Sequence, residues 1–255
     1  MEQPARVDAA IAAMAPRAGA HSAYMVGFAG VGEQKVFAGE ISLAAKVIGE
    51  RYGTQQRTLL LVNDQRDLES HPLASVTGLK LALADIGRRM DRERDVLFLV
   101  ISSHGSETPA VSVSNGAIQL NDLGGSDLKA ALDDAGIRWR VVIISACHAG
   151  AFIPYLSNDH TIIITAAAAD RTSFGCSNER DITDFGEAFI RDAWPTAPSL
   201  RAAFETARAA ISVRENREHL TPSMPTANFG TELERIVDDK AAFVGNPNGS
   251  HTPTP

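Results

Sequence analysis

His104 and Cys147 each come just after a short apolar run and have small residues around them, in Ser102-Ser-His-Gly-Ser106 and Ser145-Ala-Cys-His-Ala-Gly150. A thiol is partly ionised at neutral pH and is already a strong nucleophile. To cleave an amide it needs a base that can carry a proton to the leaving amine, and imidazole titrates in the right range. The backbone N–H groups of Gly105 and Cys147 could then point at the oxygen of a tetrahedral intermediate. On pattern alone the opposite reading stands level with this one. Free Cys is among the most buried residue types, so Cys147 could be a core thiol and His104 a loop residue.

The two positions gain meaning from the elements that must carry them. Five apolar blocks recur, Ala23–Phe28, Thr58–Val62, Val96–Ser102, Val141–Ala146 and Thr161–Thr165. They lack polar alternation, which is how strands covered on both faces read. Helical spacing lies between and after them. Phe37, Ile41, Ala45, Ile48 and Tyr52 share one face; Leu79, Leu83, Ile86 and Met90 share another; Leu200, Phe204, Ala207 and Ile211 a third. Strands and helices in alternation predict a mostly parallel sheet flanked by helices. Function in such a sheet sits just past the carboxyl ends of the strands, where His104 and Cys147 both fall.

The other strand ends carry less. Gly27-Phe-Ala-Gly30-Val-Gly32 does not have the dinucleotide spacing, and its glycines predict a tight turn or a close backbone approach. Asn63-Asp-Gln-Arg-Asp67 reads as a solvated charged turn. Asn115-Gly116, inside an alternating stretch, predicts a small β-hairpin at the sheet's edge, ahead of a helix near Asp127–Ala135. Thr221-Pro-Ser-Met-Pro225 reads as a Pro-rich ending to the last helix. The remaining histidines show no metal-ligand spacing, and Cys176 reads as a small half-buried loop thiol.

Composition narrows the class. The chain has 255 residues, a formal charge of −7, 44% hydrophobic and 22% charged residues. That is enough to bury a full core unaided. The acidic balance without a Lys/Arg run argues against nucleic acid as a partner. Two cysteines exclude a disulfide scaffold and a four-cysteine zinc site. No apolar run is long enough to span a bilayer, and residues 1–20, with Arg6, Asp8 and Arg17, lack the apolar core of a secretory signal. We divide the chain into an N-terminal extension or linker (1–20), a single α/β domain (21–235) and a tail (236–255) expected to be disordered toward its end.

The blocks Ile101-Ser-Ser-His-Gly-Ser106 and Ile144-Ser-Ala-Cys-His-Ala-Gly150 resemble the H-G and A-C motifs of caspase-like cysteine peptidases. Thr165-Ala-Ala-Ala-Ala-Asp-Arg-Thr-Ser-Phe-Gly-Cys-Ser177 and Asp184-Phe-Gly-Glu-Ala-Phe189 bring the likeness closer to the legumain (C13) family, particularly its bacterial members. The likeness spans roughly residues 20 to 230. It implies a caspase-like three-layer sandwich and a cysteine endopeptidase working through a thioester, with no metal or organic cofactor. A peptide or protein is then the substrate. By the same resemblance, His104 and Cys147 are the dyad, and Gly105 with Cys147 forms the oxyanion hole. It also implies cleavage after Asn, or Asp, with Ser173, Glu187 and Ser145 in the primary (S1) pocket.

Two departures bear on that pocket. Legumain carries a Glu two residues before its Cys, where this chain has Ser145, and an Arg after the first strand, where only Lys35 is near. An unpaired Glu187 would then favour a donor at P1, whether Arg, Lys or the NH2 of Asn. A helix-start carboxylate facing solvent is the plainer reading of Glu187. Transpeptidation or transamidation by the same dyad, and a catalytically silent scaffold, are the alternative functions. Bacterial relatives are often exported or membrane-attached, so a soluble domain of such a protein is one expectation for location.

Overall fold

Strands without polar alternation must be covered on both sides, and the chain builds that arrangement. The computed structural model describes residues 3–17, 20–66, 69–116, 118–239 and 242–243. Its strands are β1 (Ala23–Ala29), β2 (Thr58–Val62), β3 (Val96–Ser102), the two-residue strands β4 (Ala110–Val111), β5 (Ser114–Asn115), β6 (Ile118–Gln119) and β7 (Leu123–Gly124), then β8 (Trp139–Ser145), β9 (Thr161–Thr165) and β10 (Thr226–Phe229). Six form the main sheet in the order β10-β9-β8-β3-β1-β2, parallel except for β10. Every residue of β1, β3 and β8 is buried.

Alternate side chains feed two cores. Met25, Phe98, Val100 and Ile143 face α2 (Lys35–Tyr52) and α6 (Leu200–Arg217). Tyr24, Val26, Leu97, Leu99 and Ile144 face the layer of α1 (Gln3–Ala12), α3 (Val76–Arg89) and α4 (Gly125–Asp134). The period of two along each strand thus becomes a three-layer sandwich. The short helix α5 (Ile153–Leu156), a π-helix at Gly186–Ala193 and α7 (Thr231–Asp238) complete the α- and π-helices among the described residues. Caps fix their limits: Ser75 and Ser199 accept from Gly78 and Ala202 N–H, each at 3.0 Å, and Gly53, left-handed at φ 67°, closes α2.

Several details differ from the sequence reading. The segment read as an N-terminal extension holds α1, whose Val7 and Ile11 are buried in the core shared with α3. β5 and β6 form the hairpin around Asn115-Gly116, but not at the sheet's edge. Ser114 N–H donates to Gly30 O at 2.9 Å and Val31 bridges Ser114, so the excursion folds over the carboxyl ends of β1 and β3 in mid-sheet. Gly30 permits this, since a Cβ there would collide with Ser112 O and Ser103 Oγ. α6 is not the last helix; β10 and α7 follow it. The end of the tail and Asp67 lie outside the described residues. Among the described residues, no helix is long and apolar enough to cross a membrane.

Candidate active site

Ser102 and Ser145 are register partners on the parallel neighbours β3 and β8. Adjacent strands run about 4.8 Å apart, so His104 and Cys147, each two residues beyond that pair, leave the sheet side by side. Gly105 has a steric reason to be glycine: a Cβ would collide with the Cys147 carbonyl oxygen. Both side chains line one cleft, together with Ser145, Ser173, Thr183 and Phe37. Ser103, Ala146, Phe174 and Cys176 complete its walls, and no charged side chain other than a titratable His or Cys lines it among the described residues.

The turn that presents Cys147 is tightly held. His148, at φ 56°, is one of the few non-glycine residues in the left-handed region. Its N–H donates to Arg171 O at 2.7 Å, and Gly150 N–H to Ala167 O at 2.9 Å, as the chain enters the 3-10 turn Ala149–Phe152. His148 Nδ1 meets Ala169 O at 3.1 Å, so its ring is tied to the β9 loop. Ser173 holds the thiol through its backbone: its N–H donates to Sγ at 3.3 Å, and its carbonyl lies 3.5 Å from the same sulfur. Among the described residues, neither the Gly105 nor the Cys147 N–H has an acceptor within the protein. Two free donors beside a thiol are what an oxyanion requires.

His104 is positioned by a residue outside the sequence motifs. Gln34, the residue preceding α2, donates through Nε2 to Cys176 O at 2.6 Å. Its Oε1 is therefore the atom that meets His104 Nε2, and it accepts the ring proton there. Nδ1 is left as the unprotonated nitrogen. Phe37, one turn on, stands edge-on to the imidazole with centroids 5.0 Å apart. Burial pushes the His104 pKa below the ordinary imidazole range, with Glu33 pulling partly back. The ring is thus held neutral near pH 7.

The remaining candidates separate. Ser173 and Ser145 line the cleft; Glu187 does not. Nor is Glu187 unpaired: Arg180, Arg191 and Arg214 reach its carboxylate at 3.1, 2.7 and 2.7 Å. Burial alone would raise its pKa, but the bonds and charges of Arg214 and Arg191 prevail and bring it down to about 2. The premise of a free carboxylate attracting a basic P1 side chain therefore fails. Lys35 is likewise engaged, with Asp181 at 2.6 Å. Cys176, read as a bland loop thiol, is in the cleft wall, and burial raises its pKa, with Cys147 adding to the effect.

Sequence reasoning missed Gln34, Glu40 and Thr183. Gln34, Phe37 and Glu40 recur at i, i+3 and i+6 at the start of the helix following β1, a strand-end position like the others. A Glu on the helix face that carries Phe37, Ile41 and Ala44 was the available signal. It is fully buried.

Comparison with known proteins agrees with this architecture. Among solved structures, the crystal structure of caspase-1 from Spodoptera frugiperda superposes with a TM-score of 0.54 over 84% of this chain and 88% of that one, at 9% identity. That likeness concerns the fold alone. No protein of curated function matches the sequence. Residues 73–233, a span running from before β3 into α7, match the peptidase C13 family. The chain therefore belongs to the peptidase C13 family, as a legumain-like cysteine endopeptidase of caspase-like fold.

Proposed function

We propose that Cys147 is the nucleophile and His104 the general acid and base of this peptidase, cleaving peptides after Asn. The observation that carries the reading is the Ser102–Ser145 register pair, which sends both side chains into one cleft beside two N–H groups that have no acceptor among the described residues. Cys147 Sγ attacks the scissile carbonyl carbon while its proton passes to His104 Nδ1. The N–H groups of Gly105 and Cys147 hold the oxyanion, and the Ser173 N–H faces the sulfur as its proton leaves. The C–N bond then breaks as His104 hands the proton to the amine, leaving a thioester. Water adds to the thioester, giving a proton to His104. The C–S bond breaks, and the thiol recovers its proton from the imidazolium.

Ser145 and Ser173 form part of the primary pocket in this reading, with Phe37 and Phe174 as apolar walls. Gln34 is a positioning residue that fixes the His104 tautomer. Glu187 acts behind the pocket, anchoring arginines. The test is a panel of fluorogenic peptides differing only at P1 (Asn, Asp, Arg, Lys, Ala), run beside Cys147→Ala. Cleavage of the Asn peptide, lost in Cys147→Ala, is expected. Turnover that persists in folded Cys147→Ala would overturn the assignment, and preference for Arg or Lys would overturn the pocket.

A further inference from the structure

Under the cleft lies a buried carboxylate that the reaction above does not use. Glu40, on α2, is fully buried. Its Oε1 meets Ser102 Oγ at 3.1 Å; its Oε2 accepts from the Thr183 N–H at 3.0 Å and also contacts the Thr183 hydroxyl. Thr183 Oγ1 in turn accepts from the Gly186 N–H at 2.9 Å and lies 3.2 Å from Ser145 Oγ. Ser145 and Thr183 both face the cleft. Gly186 has no side chain because a Cβ would collide with the Glu40 carboxylate. The carboxylate is thus seated in a purpose-shaped hole.

The donors and acceptors in this chain can be assigned one by one. The Thr183 N–H can only donate, so Glu40 Oε2 must accept. The single Thr183 hydroxyl proton then goes to the same oxygen. Its Oγ1, already accepting from Gly186, can only accept again from Ser145. The Ser145 proton therefore points inward, to Thr183 or to the carboxylate that is also within its reach. Burial raises the Glu40 pKa. The ionised carboxylate and the acid with its proton on Oε1, toward Ser102, both keep this chain as drawn; only a proton on Oε2, which already accepts the Thr183 N–H, would turn it. What Ser145 turns to the cleft is lone pairs alone.

We propose that Glu40 is a positioning residue for specificity: through Thr183 it orients Ser145 so that the floor of the primary pocket only accepts hydrogen bonds. Such a floor takes a neutral side chain carrying N–H donors, the carboxamide of Asn, and rejects the isosteric carboxylate of Asp. The carboxylate brings only acceptors and would leave lone pairs facing lone pairs. This replaces the role first assigned to Glu187 and rests on the reading of the cleft as the P1 site.

The experiment is the ratio of kcat/KM for paired Asn and Asp P1 peptides near pH 7, in wild type, Ser145→Ala, Glu40→Gln and Glu40→Leu, with folding checked by circular dichroism. Wild type should favour Asn. Ser145→Ala should cut the ratio about tenfold, the worth of one hydrogen bond. Glu40→Gln should keep the ratio within about twofold. Its amide oxygen can replace Oε2 and its NH2 can face Ser102. Glu40→Leu, where it folds, should behave as Ser145→Ala; the other two variants decide the matter where it does not. An unchanged ratio in Ser145→Ala, a collapsed ratio in folded Glu40→Gln, or a wild type that prefers Asp would each overturn the proposal. Those outcomes all leave Cys147-dependent cleavage intact; a wild type that cleaves no peptide in the panel sinks the peptidase reading and this inference together.

Discussion

Glu40 packs against Gly186 and Glu187 follows it in the chain, yet the contrast between their surroundings separates the working part of the site from its support. Glu40 is sealed from water and meets the Ser102 hydroxyl and the hydroxyl and N–H of Thr183, which lines the cleft. Glu187, on the π-helix Gly186–Ala193, meets three guanidinium groups, one of them from α6. Hydroxyls transmit direction, because each has one proton to place. Arginines around a carboxylate transmit only attraction and geometry. The first environment can tell substrates apart; the second fastens two helices together.

The sharpest way to break this contrast is at the cleft itself. Gly105→Ala should lower kcat/KM by about a hundredfold or more, the usual loss when an oxyanion donor is displaced. The new Cβ must push away the Cys147 carbonyl and with it the neighbouring N–H. Steady-state kinetics on the Asn peptide checks this, and a folded Ala variant with wild-type kcat/KM would remove Gly105 from the oxyanion site.

Gln34→Ala should act one step further out. It leaves the nucleophile and pocket in place but frees the imidazole to turn, so kcat should fall about tenfold with little change in KM. The wild-type pH profile sharpens the point. His104 must be neutral to take the thiol proton, and burial lowers its pKa. Activity should therefore persist as pH falls below about 6.5, the unperturbed imidazole value. An acid limb centred above that value would contradict the burial argument.

Much of this was legible in the sequence because it depends on local pattern. The runs Thr58–Val62, Val96–Ser102 and Thr161–Thr165 are strands from end to end, since their apolar composition has no other way to be satisfied in both layers. His104 and Cys147 could be placed because strand ends gather chemistry. β10 could not be read: four residues after two prolines, paired only with β9, carry almost no periodic signal. The π-helix was hidden too: the stacking of Phe185 on Phe189 and of Phe189 on Trp194, at 5.3 and 5.2 Å, belongs to the folded turn and is not recorded in residue spacing. Glu187 was misjudged for a related reason. Arg191 is its i+4 neighbour on the same helix, but Arg214 reaches it only when α6 packs on the π-helix, and single-sequence motifs do not record that contact. Glu40 was overlooked because one Glu on an apolar helix face looks like noise until the hydroxyls beneath the cleft are seen around it.

The smallest effect should come from Glu187→Gln, and it should appear in stability alone. Its carboxylate is neither fully exposed nor sealed, so removing its charge should cost about 1–2 kcal/mol, between the values for surface and buried pairs. That corresponds to a fall in Tm of about 2–8 °C for a domain of this size. The pH dependence follows from the sign of the shift. The folded pKa, about 2, lies below the ordinary carboxylate value of 4.5. The stabilisation is therefore complete above that ordinary value and drains away as pH falls toward the folded one. Thermal melts of wild type and variant should differ most near neutral pH and converge in acid. Because the residue is outside the cleft, the Asn-to-Asp ratio should stay at its wild-type value. A variant that shifted that ratio as Ser145→Ala does would return Glu187 to the primary pocket and erase the distinction between the two carboxylates.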